Sequence, residues 1–108
     1  MDKFKEIIKQ RVLILDGAMG TQIQNLNLDE SQNAAGCNEL LNINAREAIK
    51  KIHRSYLLAG ADIIKTNTFG AMPWVLDEYN LKSKAYELTF EGVKLAREVC
   101  EEFDDKPR

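Results

Sequence analysis

Three short stretches carry the side chains able to do chemistry. Asp16 closes an apolar run, VLIL at residues 12–15, which it cannot cheaply join. A carboxylate there can hold a ligand ammonium or simply cap a loop, and its position alone leaves both readings open. Gly17-Ala18-Met19-Gly20-Thr21 follows at once. Glycines let the backbone approach a ligand, and the exposed N–H groups of such a turn can take a carboxylate or phosphate. The run is not GxGxxG and no Lys-Ser or Lys-Thr pair follows it, which excludes a P-loop; on its own it reads most simply as a structural turn. Thr66-Asn67-Thr68 sets three hydrogen-bonding side chains directly after a second apolar run, a pattern that a plain loop also shows.

The remaining reactive side chains are sparse. There are two cysteines, Cys37 and Cys100, and one histidine, His53, with no CxxC or HxxxH spacing. A structural zinc site uses four protein ligands and a catalytic one three, so no metal site is expected from these residues and both thiols are expected to be free. His53 sits inside a helical stretch and reads as a structural or surface histidine.

The elements that must position these groups follow from periodicity. Residues 1–10 suggest a short helix with Phe4, Ile7 and Ile8 on one side. Residues 11–16 (RVLILD) suggest a strand buried on both faces, as in a parallel sheet. Residues 25–36 form a long polar loop. Asn44-Ala45-Arg46-Glu47 resembles a capping box, with the Asn44 side chain accepting from the Glu47 N–H. Behind it Ala45, Ala48, Ile49, Ile52, Tyr56 and Ala59 make a helical stripe that Gly60 ends. Residues 61–65 (ADIIK) suggest a second strand. A short helix over residues 72–79 and a long one over 82–103 follow, the latter with Tyr86, Phe90, Val93, Ala96, Cys100 and Phe103 as its core stripe. The tail, residues 104–108, is polar.

Strand, helix and buried strand in that order predict an α/β chain with a right-handed parallel crossover. Both strand ends then share one edge, so Asp16, Gly17, Ala18, Met19 and Gly20 become neighbours of Thr66, Asn67 and Thr68. Parallel α/β folds carry their ligands on this edge. At such an edge Asp16 should matter more to a ligand than to folding.

Composition sets outer limits. The chain has 108 residues and a net charge of −2, so one small domain is expected and no basic field exists to hold nucleic acid. The apolar runs are far shorter than the roughly 20 residues of a membrane span, and residues 1–10 lack the apolar core of a signal peptide. A cytoplasmic protein is the expectation.

Four motifs in order, LDGAMGT (15–21), GCNELLN (36–42), IHRSY with AGADII (52–56 and 59–64) and TNTFG (66–70), resemble those of the homocysteine S-methyltransferase family, most closely its cobalamin-dependent branch. The resemblance runs from about Val12 to the end. It implies a TIM (β/α)8 barrel of which residues 1–108 supply a single partial domain: the N-terminal helix and the first two β/α units, stopping where a third strand would begin at residues 106–108. It implies that homocysteine is bound by Asp16 to Gly20 and by Thr66 to Thr68. Family zinc is held by three cysteines that Cys37 and Cys100 do not match, so no catalytic or metal-binding residue is carried over. Zinc and cobalamin are implied for a full-length enzyme, with the rest of the barrel and the folate and cobalamin modules as partners. Neither cofactor is expected on this chain alone, which is expected to be inactive. Two rivals remain: a relative using another donor (a folate-reductase fusion, betaine or S-methylmethionine), and a non-catalytic α/β binding module.

Overall fold

A computed structural model of the chain describes residues 2–28, 32 and 36–103. The polar loop expected at residues 25–36 lies partly outside the described residues, and the tail at 104–108, with the expected start of a third strand, lies wholly outside them. The described α-helices are α1 (Asp2–Ile8), α2 (Gly20–Asn25), α3 (Leu41–Asn44), α4 (Arg46–Leu58), α5 (Pro73–Leu76) and α6 (Ala85–Glu101), with 3-10 turns at Asn38–Leu40, Asp77–Tyr79 and Lys82–Lys84. None of the described helices is long and apolar enough to cross a membrane.

The expected α/β class is corrected. The described residues are mostly helical and form no sheet; pairing is limited to one isolated parallel bridge between Leu15 and Ile63. The two β/α units, and the barrel start inferred from them, fall with the strands. The hydrogen bonds give the reason. Around the bridge, Ile63 N–H donates to Ile14 O (3.2 Å) and Asp16 N–H to Ile63 O (2.9 Å), as a parallel ladder requires. The next donor on either side turns to a carboxylate instead. Ile14 N–H donates to Asp62 Oδ2 at 2.9 Å, and Lys65 N–H to Asp16 Oδ2 at 3.1 Å. Each aspartate takes the N–H that would extend the ladder. Two short segments without a third are in any case too few to sustain a sheet. Nor is the first run buried on both faces: Val12 is 85%, Ile14 57% and Leu15 53% exposed.

The helices form much as their patterns dictate. In α4, Ile49, Ile52, His53 and Leu57 face inward. Its C-terminus closes at Gly60, whose φ of +112° is costly for other residues, with Ala61 N–H donating to Tyr56 O (3.0 Å) and Gly60 N–H to Leu57 O (3.1 Å). The capping box is not formed. Ala45 is the N-cap, without a side-chain hydrogen bond, and Asn44 Nδ2 donates to Gln32 O at 2.9 Å. A single residue separates α3 from α4, so Asn44 belongs to the end of α3 and lacks the extended backbone of a capping residue.

The stripe expected on α6 is also corrected, except at Ala96. Its buried face is Leu88, Gly92, Leu95, Ala96 and Val99, while Tyr86 is 81% exposed and Phe90 and Val93 are about half exposed. The helix has two apolar stripes, and packing on α3 and α4 selects the second. One core cluster joins Ile23, Leu41, Ile49, Ile52 and Leu95; another joins Cys37, Leu40, Ala71, Leu76 and Leu88. Ion pairs set the register of α4 on α6: Arg46 with Glu91 and with Glu98 (3.1 Å), Lys50 with Glu98 (3.6 Å), and Arg54 with Glu102 (2.7 Å). The partners advance together along both helices, so α4 and α6 run parallel.

Between these layers lies a buried amide pair. Asn42 Nδ2 donates to Asn67 O (2.8 Å) and Leu88 O (3.1 Å), and Asn67 Nδ2 donates to Asn42 Oδ1 (3.1 Å) and Asn38 O (3.0 Å). Gly92 makes room for it. A Cβ there would stand 2.7 Å from Asn42 Nδ2 and 2.8 Å from Thr68 Cγ2. Gly92→Ala would add about 1 kcal/mol of helix propensity. Overpacking and disturbed buried hydrogen bonds should cost more, leaving a net loss of about 1–2 kcal/mol. Urea unfolding measures this, and an unchanged midpoint would show that the amide pair can shift without penalty.

Candidate functional site

The Leu15–Ile63 bridge brings the ends of the two apolar runs together, and a cavity of about 550 Å³ opens beside it. One wall is Asp16, Gly17 and Met19; the other runs from Lys65 through Thr66, Asn67 and Thr68 to Phe69. Six of the eight residues expected at a ligand edge line one space. The other two stand behind it: Ala18 O accepts from Tyr56 Oη at 2.7 Å, and Gly20 opens α2.

Each wall is fixed by an identifiable contact. Tyr56 of α4 presses on the first loop, and a Cβ on Gly17 would lie 2.9 Å from Tyr56 Oη. The glycine is therefore needed for that close approach as well as for exposing the backbone. On the second wall, Thr66 and Thr68 share a hydrogen bond of 2.7 Å between hydroxyls. The Asn67 side chain and its carbonyl oxygen both turn inward to the amide pair, so the residue is fixed at the foot of this wall. Glu39 Oε2 accepts from Gly70 N–H at 3.1 Å and holds the end of this loop.

Asp16 differs from the expectation of an open-edge carboxylate. Its side chain is 2% exposed; Oδ2 accepts from Lys65 N–H, and Oδ1 stands 3.5 Å from Lys65 Nζ. Lys65 Nζ also donates to Asp16 O at 3.3 Å, while its own side chain stays 56% exposed. Asp16 thus carries both the local fold and the polarity of the cavity. Lys65 and Phe69 are lining residues that the motif reading missed. A signal for Lys65 existed: it ends the second apolar run as Asp16 ends the first, so paired segments bring the two charges together.

The residues present do not fit a zinc ion. Cys37 is buried, with Sγ 3.8 Å from Glu39 Oε1, and burial pushes its thiol up, away from the thiolate a metal requires. Neither Cys37 nor Cys100 is in a disulfide, and no group of three His, Cys, Asp or Glu residues among those described is placed to hold a metal.

His53 is fully buried, and desolvation holds its imidazole below the usual 6.5, with the charge of Asp16 acting weakly in the other direction. The unfolded chain therefore binds a proton near pH 6.5 that the folded chain refuses. Stability contributed by neutral His53 is complete above that pH and is lost as pH falls through the window below it. Unfolding free energy should drop as pH falls below about 6.5. His53→Gln should remove that part of the slope in denaturant titrations at several pH values; a slope unchanged by the substitution would mean that other groups set it.

Residues 13–108 match the family described as Homocysteine S-methyltransferase. The methionine synthase of Mycobacterium tuberculosis (strain ATCC 25618 / H37Rv) is 40% identical over 105 residues, which is 95% of this chain and 9% of that protein. The methionine synthase of Mycobacterium leprae (strain TN) is 43% identical over 99 residues, 90% of this chain and 8% of that protein. The chain thus spans less than a tenth of the length of these relatives. Since the family match takes in both walls of the cavity, α4 and α6, the chain belongs to the homocysteine S-methyltransferase family.

Proposed function

We propose that this chain forms part of the homocysteine site of a methionine synthase, a methyltransferase that moves a methyl group from methylcobalamin, loaded from 5-methyltetrahydrofolate, to homocysteine. The observation that carries the reading is the cavity between Asp16–Gly17 and Lys65–Thr68, which sets opposite charges side by side. Homocysteine is a zwitterion with a thiol at its far end. Its ammonium suits the Asp16 carboxylate. Its carboxylate suits the Lys65 ammonium, whose exposed side chain can swing from Asp16 to the ligand, and the N–H groups of the glycine loop. The Thr66 and Thr68 hydroxyls supply further hydrogen bonds.

This half-site holds the amino-acid end and leaves the sulfur to groups elsewhere. A free thiol near pKa 8.5 is mostly protonated at neutral pH, and the attacking species is the thiolate. Zinc and cobalamin, implied by the family, are assigned to a longer protein, together with the folate and cobalamin modules as partners. The 108 residues alone should yield no methionine from homocysteine; turnover above the protein-free background would overturn that assignment.

In a methionine synthase carrying this segment, Asp16→Asn should raise the homocysteine Kd about tenfold to a hundredfold, the equivalent of about 1.5–3 kcal/mol for a charge-assisted hydrogen bond. Asp16→Ala should in addition lower the Tm, because Lys65 N–H loses its acceptor. Calorimetric titration and thermal melting of both variants separate the two effects. An unchanged Kd in a folded Asp16→Asn protein would remove the carboxylate from the site.

A further inference from the structure

Among the described residues, three buried side-chain polar atoms lack a hydrogen-bond partner: Asp16 Oδ1, His53 Nδ1 and His53 Nε2. All three belong to two residues, and the two interact electrostatically. One is a carboxylate on the cavity wall; the other is a fully buried imidazole on α4.

Helix geometry puts His53 on the side of α4 that Tyr56 presents to the loop beginning at Asp16. His53 and Tyr56 are three residues apart and share a face of α4. Tyr56 Oη already reaches Ala18 O at 2.7 Å. His53 stands one turn earlier on the same face of α4. Of the two oxygens of Asp16, Oδ2 is fixed by the Lys65 N–H, whereas Oδ1 has only the ammonium of a largely exposed lysine at 3.5 Å. An apolar side chain would fill the His53 position without stranding a donor and an acceptor, so packing alone does not account for an imidazole there.

We propose that His53 is the positioning residue of Asp16: its neutral imidazole donates an N–H to one buried water, the water donates to Asp16 Oδ1, and this relay sets the carboxylate against the cavity. A buried water suits a site where a donor and an acceptor are both otherwise unpaired. The relay fixes one ring tautomer and leaves the other ring nitrogen as a bare acceptor. Its meaning for homocysteine rests on the function proposed above, while the relay itself can be tested without ligand.

His53 is the sole histidine, so its ring signals in a 15N-labelled 108-residue chain are unambiguous. Long-range 1H–15N spectra should show one dominant neutral tautomer, with a ring N–H that gives a cross-peak to a long-lived water. Asp16→Asn should mix the tautomers and speed ring N–H exchange about tenfold, as expected for one lost hydrogen bond; Lys65→Met should do neither. Mixed tautomers or a missing water cross-peak in the folded wild-type chain would overturn the relay even where Asp16→Asn does not fold. So would a folded Asp16→Asn chain with unaltered ring signals. In a methionine synthase carrying the segment, His53→Gln, which keeps a donor, should hold the homocysteine Kd near wild type, while His53→Leu raises it about tenfold. Equal Kd values for the two folded variants would end the positioning role. A relay that is present in a protein that fails to bind homocysteine would sink the proposed substrate and leave His53 where it is assigned.

Discussion

The pairing of residues 11–16 with residues 62–65 is the constraint on which the site depends. Three main-chain hydrogen bonds join the two segments around the Leu15–Ile63 bridge, and an aspartate closes the pairing at each end. Asp62 does more than stop the ladder: its carboxylate takes both terminal nitrogens of Arg11, at 3.0 and 2.9 Å, in the paired geometry that arginine and carboxylate favour. The register is therefore fixed by side chains as much as by backbone. A slip of one residue would separate Asp62 from Ile14 and Asp16 from Lys65 together, and the cavity walls would no longer face each other. Asp62 at the start of the second segment and Asp16 at the end of the first make a reciprocal pair, each capping the other segment.

From that seam the rest is carried by α4. The helix leaves its apolar side to Ile49, Ile52 and Leu57 and presents Tyr56 to the glycine loop. Its ion pairs with α6 hold the second helix parallel, and α6 in turn presses Gly92 on the Asn42–Asn67 amides. Asn67 belongs at once to the core and to the cavity wall. The second loop is thus tied to α3 and α6 through its middle residue, which leaves the two threonines flanking Asn67 to face the cavity. A loop held this way loses little freedom on binding a ligand, because its ordering is already supplied by the fold.

Much of this was legible in the sequence and some was not, for reasons that can be located. The α4 helix, the inward Ile49 and Ile52 of its stripe and its glycine stop were readable because periodicity and a required positive φ are local properties, although Ala59 is exposed and Leu57 and His53 face inward in addition. The convergence of the two loops was readable because the order of apolar runs and helix allowed only a few topologies. The strands were misread because VLIL and DII have the composition of buried strands, whereas the decision to extend a ladder rests on where single N–H groups turn, and the aspartates took them. The capping box failed because Asn44 was claimed by a preceding turn of helix that the pattern did not mark. On α6 both stripes are apolar, so hydrophobicity could not choose between Tyr86 and Leu88; contact with α3 and α4 did. Asp62 was missed as a support of the register because a polar residue at a strand start looks the same whether or not it has a distant partner.

The side chains around the cavity also limit which part of a reaction it can serve. Asp16, Lys65 and the two threonine hydroxyls offer charge and hydrogen bonds, the means of holding a polar ligand end in one orientation. No activated nucleophile stands among them. Cys37 is buried beside Glu39 and His53 is fully buried on α4, and neither lines the cavity. Such a site would contribute through placement. Fixing one end of a flexible amino acid aims the other, and the binding energy gained at the charged end offsets the entropy lost by the reacting end. That contribution requires the charged wall to stay put when the ligand arrives. The Lys65 N–H holds one oxygen of Asp16 in place, and the relay proposed from His53 would hold the other, whereas a carboxylate resting on a solvent-exposed lysine alone would move with it.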